Sequence, residues 1–136
     1  MLESGPRKVL VTGATGAIGS ALVTRLVSRS EISVRALVRN EAKAGPLQDA
    51  GAALAIGSFE DAEALRTATD GIDTVVLITA VDPDAATQAN AVLSMAKDAG
   101  VRRIVRISAN QADPEGPTAN TRLHGRTDNE IAASGL

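Results

Sequence analysis

Three glycines spaced by three residues could bind a phosphate near the start of the chain. Gly13, Gly16 and Gly19 lie in the stretch T-G-A-T-G-A-I-G, between an apolar run and a segment with helical periodicity. Glycine permits positive φ angles and lets the backbone approach a phosphate with no Cβ between them. A third glycine, one turn into the helix, permits close packing of helix on strand. The pattern predicts a pyrophosphate-binding turn, with a ligand-free joint between strand and helix as the alternative.

The end of the second apolar run indicates which dinucleotide such a turn would bind. NAD-binding forms carry an Asp or Glu there, which binds the ribose 2′-hydroxyl. Here Val38 takes that place, followed by Arg39 and, a few residues on, by Lys43. A guanidinium suits a 2′-phosphate through paired, charge-assisted hydrogen bonds. These residues predict a preference for NADP(H) over NAD(H); the alternative is that Arg39 only ends a strand in water.

The residue types present limit the catalytic chemistry. The chain has no cysteine and no tyrosine, which excludes disulfides, thiolate metal ligands, a cysteine nucleophile and a tyrosine acid. Its one histidine, His124, is predicted near the start of the last helix, where it could bond a ribose or a carbonyl oxygen. An ordinary pKa of about 6.5 would let it donate a proton, and a helix-surface histidine is the alternative.

Three further polar residues follow predicted strands. Ser108 ends the fifth strand and could bond a carbonyl oxygen, but no base is identifiable that would make it a nucleophile. Asp82 and Asp84 flank Pro83 and are predicted to cap the helix that follows rather than to bind a metal ion. We therefore predict no metal site.

Apolar runs alternate with helical segments along the chain, which predicts parallel β-α-β units with right-handed crossovers. The predicted fold class is α/β, a doubly wound parallel Rossmann sheet of five or more strands in the order 3-2-1-4-5, with helices on both faces. We expect a single domain over residues 1–136. The strands are predicted at Lys8–Thr12, Ile32–Val38, Ala52–Ile56, Thr74–Thr79 and Ile104–Ser108. The helices are predicted at Ala17–Arg29, Glu41–Ala50 with a start at Pro46, Glu60–Thr69, Ala85–Ala99 and Thr121–Ala133.

The composition agrees with such a sheet and argues against other classes. Hydrophobic residues make up 44% of the chain, and Phe59 is the only aromatic one, so the core is aliphatic, as in buried parallel sheets. The net charge is −2, and no block of Arg and Lys indicates a nucleic-acid partner. No apolar run approaches the roughly 20 residues that cross a bilayer, and no leader pattern is present. We expect a soluble, cytoplasmic protein.

The stretch Thr12–Gly19 resembles the T-G-x-x-G-x-x-G turn of extended and atypical short-chain dehydrogenase/reductases. The chain is most similar to the NmrA-like branch, which includes type-2-like NAD(P)H:quinone reductases and redox-sensing regulators. Further agreement comes from V-R-A-L-V-R-N (Val34–Asn40), G-S-F-E-D (Gly57–Asp61), T-V-V-L-I-T (Thr74–Thr79) and R-I-V-R-I-S (Arg103–Ser108). The resemblance extends through the S-G-L at the end of the chain.

The resemblance implies a set of cofactor-binding positions at the carboxyl ends of the strands. Ser58 and Phe59 would lie beside the adenine, where relatives commonly carry an Asp; Phe59 could also belong to the core. Thr79, Ala80 and Val81 would pass the ribose and nicotinamide, and Ser108 would face the substrate. The complete predicted set is Gly13, Thr15, Gly16, Ala17, Ile18, Gly19, Arg39, Lys43, Ser58, Phe59, Thr79, Ala80, Val81, Ser108 and His124.

The resemblance also implies an activity, with one departure from the family pattern. Many of these reductases use a Tyr-x-x-x-Lys pair, whereas here Asn120 falls at the Tyr position and His124 at the Lys position. Hydride transfer to a quinone or similar electrophile asks less of the protein, because the cofactor supplies the chemistry. The leading hypothesis is an NADP(H)-dependent oxidoreductase that transfers a hydride to a quinone or similar electrophile. The alternative is a non-catalytic NADP(H) sensor for a protein partner; an epimerase is disfavoured because it requires the Tyr.

Relatives continue beyond the S-G-L motif, Ser134–Leu136, with a sixth strand and a substrate lobe. We expect the substrate lobe to be absent from this chain and the sheet to have an exposed edge. An unpaired edge strand promotes association. The sequence therefore predicts that the chain forms homo-oligomers through that edge.

Overall fold

The computed structural model describes residues 5–136, which form one parallel five-stranded sheet in the order β3-β2-β1-β4-β5. The strands are β1 (Arg7–Val11), β2 (Ile32–Val38), β3 (Ala53–Ile56), β4 (Thr74–Leu77) and β5 (Arg103–Arg106). The helices are α1 (Ala17–Val27), α2 (Gly45–Ala50), α3 (Ala62–Thr69), α4 (Ala85–Asp98) and α5 (Ala119–Ala133), with a 3₁₀ turn at Glu41–Lys43. The predicted fold class and strand order are confirmed.

Apolar side chains alternate between the two faces of the sheet, so that each face carries its own core layer. On β1, Leu10 packs toward α3 and α4, whereas Val9 and Val11 pack toward α1 and α2. This alternation follows from the two-residue period of a strand. The helix α5 packs beside α4 and adds Ile131 to the first layer. The sheet is therefore covered by helices on both faces.

The order of winding reverses at β1, which pairs with β2 on one side and with β4 on the other. Thr12 joins the two strands just past the end of β1, where it is fully buried. Its Oγ1 donates to the Ile78 carbonyl oxygen at 2.9 Å and accepts from the Ile78 amide at 2.8 Å. The β4 strand therefore ends at Leu77, earlier than the predicted Thr79, because a side chain takes over the pairing at the next residue.

Helix starts differ from prediction where side-chain caps decide them. The helix α3 begins at Ala62 rather than Glu60 because Asp61 Oδ1 accepts the Ala64 amide at 3.0 Å. The helix α5 begins at Ala119 rather than Thr121, since Thr118 and Thr121 form a reciprocal capping box. The predicted break at Gly45-Pro46 is confirmed, with α2 beginning at Gly45.

The predicted capping of α4 by aspartates is wrong in its detail. Asp84 is the N-cap residue of α4, but its side chain makes no capping hydrogen bond. Asp82 Oδ1 instead accepts the Asp84 amide at 2.7 Å, which closes a local turn around Pro83. The carboxylate thus shapes the loop before α4 rather than bonding the helix amides.

The described residues also bear on membranes and on the sheet edges. No helix within residues 5–136 is long and apolar enough to cross a membrane. In the same part of the chain β5 pairs with β4 alone, and Val105 on this edge strand is 44% exposed.

Candidate dinucleotide-binding site

The glycine-rich turn connects β1 to α1 at the point where the strand order reverses. Gly13 has φ +60°, and its carbonyl oxygen accepts the Gly16 amide at 3.1 Å. Gly16 is the N-cap residue of α1 in extended conformation, and its own carbonyl accepts the Ser20 amide at 2.9 Å. The turn thus directs the first residues of α1 toward the carboxyl edge of the sheet.

The amino end of α1 offers free hydrogen-bond donors. The first amides of a helix have no intrahelical partner, and here they belong to Ala17, Ile18 and Gly19. Within residues 5–136 no side chain caps this end, and no acidic residue stands in its first turn. Together with the positive end of the helix dipole, these amides favour a bound anion.

The protein's own packing requires glycine at two of the three positions of the turn but not at the third. A Cβ on Gly19 would overlap the Gly13 carbonyl oxygen, and a Cβ on Gly13 would lie 3.0 Å from the Ile78 carbonyl oxygen. The protein's own backbone therefore requires both. Gly16 differs, because its φ of −74° is open to any residue and its Cβ would approach only the Gly13 oxygen, at 3.4 Å. Packing within the protein does not explain a glycine at position 16, whereas close approach of a ligand does.

Exposed apolar side chains lie at the carboxyl ends of several strands. Ile18 in the first turn of α1 is 55% exposed, Val81 after β4 is 73% exposed and Ile56 at the end of β3 is 45% exposed. Ligand sites are lined mainly by apolar side chains with a few polar groups between them. These residues leave apolar surface exposed at the carboxyl edge of the sheet.

The two predicted phosphate-binding cations lie exposed just past β2. Arg39 directly follows the strand. Lys43 is the last residue of the 3₁₀ turn, whose first turn is capped by the Asn40 side chain. Neither side chain forms an ion pair or hydrogen bond with the described residues. Both charges are thus available to an anion near the end of β2.

The residues after β3 and β4 show one core contact and one unpartnered hydroxyl. Phe59 is half-buried and packs against the core layer under α3 and α4, and the Ser58 hydroxyl accepts the Glu60 amide at 3.3 Å. Thr79 Oγ1 is buried and has no hydrogen-bond partner within residues 5–136. Buried polar atoms are rarely left without a partner, so this hydroxyl next to the turn is suited to a ligand's polar group. Ala80 and Val81 beyond it are exposed.

A cluster of four polar residues joins the end of β5 to α5. Ser108 Oγ donates to Asp128 Oδ2 at 2.6 Å, and Arg106 Nε lies 3.4 Å from Asp128 Oδ1. Arg106 Nη2 lies 3.0 Å from His124 Nδ1. The Arg106 side chain is only 7% exposed, and its Nε and Nη1 have no hydrogen-bond partner in the described chain. We call Arg106, Ser108, His124 and Asp128 the β5–α5 cluster.

The β5–α5 cluster corrects one interpretation. The alternative of a helix-surface histidine is wrong, because His124 is 9% exposed and contacts Arg106. Ser108, which the sequence indicated could bond a carbonyl oxygen, donates its proton to Asp128. Sequence reasoning missed Arg106 and Asp128 altogether. Their spacing was the available signal. Arg106 lies two residues before Ser108 at the end of β5, and Asp128 lies four residues after His124 on one face of α5.

Burial and charge shift the titration of this cluster. Burial and the Arg106 guanidinium lower the pKa of His124, while Asp128 opposes them. Burial lowers the pKa of Arg106, and Asp128 again acts in the opposite direction. Arginine nevertheless stays protonated in proteins, so Arg106 is a fixed cation that disfavours the charged form of His124.

A cavity lies at the opposite edge of the sheet. It measures about 890 Å³ and is lined by residues at the amino ends of the strands, among them Arg7, Lys8 and Arg103. None of the predicted site residues lines it. Ligands of doubly wound sheets bind at the carboxyl edge, so the cavity is not the candidate site.

The sheet order, the reversal at β1 and the glycine turn together define a Rossmann-type dinucleotide-binding domain. The sequence profile of the NAD(P)H-binding family matches residues 13–136, and the chain belongs to this family.

The proteins to which the chain is similar include reductases. The chain is 34% identical over 128 residues to an NAD(P)H azoreductase of Xenophilus azovorans, covering 94% of this chain and 44% of the relative. It is 32% identical over 130 residues to quinone oxidoreductase 2 of Escherichia coli K12, covering 94% and 45%. The structure of the NADPH-dependent quinone oxidoreductase QOR2 from E. coli, complexed with NADPH, superposes with a TM-score of 0.85 at 32% identity, covering 94% and 46%. The chain thus spans less than half the length of these relatives.

Proposed function

We propose that this chain is the NADP(H)-binding part of an oxidoreductase that transfers a hydride to a quinone or a similar small electrophile. The observation that carries the proposal is the uncapped amino end of α1 behind the glycine turn, at the reversal point beside β4. Family membership and the named relatives support the nucleotide and the class of acceptor.

The residues present fit the nucleotide. The amides of Ala17, Ile18 and Gly19 would bind the pyrophosphate, and the absent side chain of Gly16 would leave it room. Arg39 would bind the 2′-phosphate with its unpaired guanidinium, and Lys43 would add charge. The unpartnered Thr79 hydroxyl would bond a polar group of the nucleotide. The bound cofactor supplies the hydride.

The chain's own residues would bind and orient the quinone, and none of them is a tyrosine that could protonate it. The sequence has neither Tyr nor Cys, so the usual acid of carbonyl-reducing relatives is absent. A quinone needs a flat apolar surface and no strong acid, because water can supply its proton. Ile18 and Val81, both largely exposed, would supply part of that surface.

Cofactor preference tests the nucleotide half of the proposal. The dissociation constants of NADPH and NADH are measured by calorimetry for the unmodified chain, Arg39→Ala and Arg103→Ala. Arg103 is a matched control, an exposed arginine at the amino end of β5. We expect NADPH to bind at least about tenfold more tightly than NADH, a difference of 1.4 kcal/mol, and Arg39→Ala alone to remove the preference. Equal constants in the unmodified chain would refute the NADP(H) preference.

Turnover tests the acceptor half. NADPH oxidation is followed with and without a water-soluble benzoquinone, at cofactor concentrations that saturate the chain. We expect oxidation that depends on the quinone. Tight NADPH binding with no turnover would instead favour the non-catalytic sensor for a protein partner.

A further inference from the structure

The β5–α5 cluster contains the only histidine of the chain and determines where its proton lies. Arg106 Nη2 is 3.0 Å from His124 Nδ1. A guanidinium has five N–H donors and no acceptor, so the ring nitrogen that faces it must accept. Nδ1 therefore carries no proton. A neutral imidazole then has its proton on Nε2, and a doubly protonated ring would place an N–H against the guanidinium.

Two features oppose protonation of Nδ1. The ring is 9% exposed, so an imidazolium there would be poorly solvated. The Arg106 guanidinium from β5 also disfavours a positive charge on the ring, whereas Asp128 from the next turn of α5 favours it. Asp128 is shared, because its Oδ1 lies beside Arg106 Nε and its Oδ2 accepts from Ser108. No charge from α4, the helix packed against α5, acts on the ring among the residues described.

The other ring nitrogen is left for a ligand. Nε2 makes no hydrogen bond with residues 5–136 and is not one of the buried atoms that lack a partner, so these residues do not fully bury it. The cluster extends to Ser108, which is exposed just past the carboxyl end of β5. Dinucleotides and substrates of doubly wound sheets bind at this edge.

We propose that Arg106, paired with Asp128, is a positioning residue that holds His124 as a neutral imidazole, so that its Nε2–H donates a hydrogen bond to a carbonyl oxygen of the bound ligand. The identity of that ligand rests on the proposed function. The carbonyl belongs either to the carboxamide of the nicotinamide or to the quinone. His124 then acts as a fixed donor and not as an imidazolium acid, in contrast to the role that its ordinary pKa predicts.

The cluster also sets the hydrogen bonding of Ser108. Its single proton is donated to Asp128, so its oxygen can only accept from a ligand. The carboxyl edge of β5 therefore presents one donor, His124 Nε2–H, and one acceptor, Ser108 Oγ. This pair matches a primary carboxamide, whereas a quinone would use the donor alone.

The proton position is measured directly by long-range ¹H–¹⁵N NMR of chain labelled with ¹⁵N-histidine, in which a single imidazole gives the signals. We expect an unprotonated Nδ1 and a protonated Nε2 at neutral pH, and a titration midpoint below the ordinary histidine value. A proton on Nδ1, or a charged ring at neutral pH, would overturn the proposal.

Two substitutions on β5 separate positioning from bulk structure. Arg106→Met keeps much of the side-chain volume but removes the donor, so the Nδ1 signal should move toward that of a mixed tautomer and the midpoint should rise. Arg103→Met on the same strand, at an exposed position, is the matched control and should leave both signals unchanged. Unchanged signals in folded Arg106→Met would overturn the role of Arg106. If that variant does not fold, Arg106→Lys replaces it. The lysine retains a hydrogen-bond donor near Nδ1, so the tautomer should be preserved. A changed tautomer in this variant would contradict the proposal.

Ligand additions identify the carbonyl. NADP⁺, 2′,5′-ADP and the benzoquinone in the presence of NADP⁺ are each added at concentrations shown to saturate by separate calorimetry. A shift of the Nε2–H signal with NADP⁺ but not with 2′,5′-ADP assigns the donor to the carboxamide, and a shift only with the quinone assigns it to the acceptor. Saturated protein with an unmoved Nε2–H overturns the donor role. Absence of any binding refutes the proposed function instead, and the tautomer in the free chain still decides whether Arg106 positions the ring.

Discussion

At position 16 the fold would accept a side chain, whereas the proposed ligand requires a glycine. The Gly16 φ of −74° suits any residue, and an added Cβ would meet only the Gly13 oxygen at 3.4 Å. We expect Gly16→Ala to change the free energy of unfolding by less than about 1 kcal/mol. We expect the same substitution to weaken NADPH binding by about tenfold or more, since a methyl group would stand where the pyrophosphate approaches. Urea denaturation and calorimetry measure the two effects.

Two other glycines frame this result. Gly45→Ala, at the start of α2 with open space around its Cβ, should leave both stability and binding nearly unchanged. Gly19→Ala should lower stability by about 1–3 kcal/mol and also weaken binding, because the added carbon overlaps the turn itself. If Gly16→Ala binds NADPH as well as Gly45→Ala does, the turn is only a joint between strand and helix.

His124 makes the stability of the chain depend on pH. Burial and the Arg106 charge lower its pKa in the folded state, whereas the unfolded chain keeps the ordinary value of about 6.5. Below that value the unfolded state binds the proton more readily, so the stabilisation present above it is lost as the pH falls toward the folded-state pKa. We expect the free energy of unfolding, from urea titrations, to decline below about pH 6.5. His124→Gln should remove this part of the decline; an unchanged slope in that variant would contradict the assignment.

Thr12 is the side chain that holds β1 and β4 together at the edge where the ligand is proposed to bind. It is fully buried and exchanges two hydrogen bonds with the Ile78 backbone, at 2.8 and 2.9 Å. We expect Thr12→Val to lower the free energy of unfolding by about 1–3 kcal/mol, because the Ile78 amide and carbonyl lose their partner. Thr24→Val, on the exposed face of α1, should change it by less than about 0.5 kcal/mol. Equal effects of the two substitutions in urea denaturation would show that the bonds contribute little.

Element bounds were predictable where local pattern decides them and less so where side chains cap or pair. The strand β2 has the predicted bounds, Ile32–Val38, because its buried apolar residues end at Val38 and the exposed Arg39 follows. The start of α5 was missed by two residues, since a Thr-Thr capping box is a weaker sequence signal than Thr followed by Glu. The end of β4 depends on Thr12, which is distant in the chain and therefore gives no local signal.

At the scale of the whole molecule, the exposed edge of β5 predicts that copies of the chain associate with one another. Within residues 5–136 this strand pairs only with β4, and Val105 on it is 44% exposed. An unpaired strand is a template for another chain. We expect light scattering to show a mean mass that rises with concentration, and Val105→Asp to reduce that rise. Ser94→Asp, which adds the same charge to the exposed surface of α4, should not. A constant monomer mass for the unmodified chain would refute association.

The sequence by itself determined the fold class, the strand order and the place of the glycine turn, because apolar periodicity and turn residues act over a few neighbouring positions. It also indicated Arg39 as an exposed cation past β2, and that position follows from the end of one apolar run. The tertiary structure decided which glycine the backbone does not need. It also excluded the alternative of a surface histidine, because His124 is buried and accepts a hydrogen bond from Arg106. Those properties depend on how α5 packs against β5 and how β4 approaches the turn. Such contacts join residues far apart in the chain, and no local pattern specifies them.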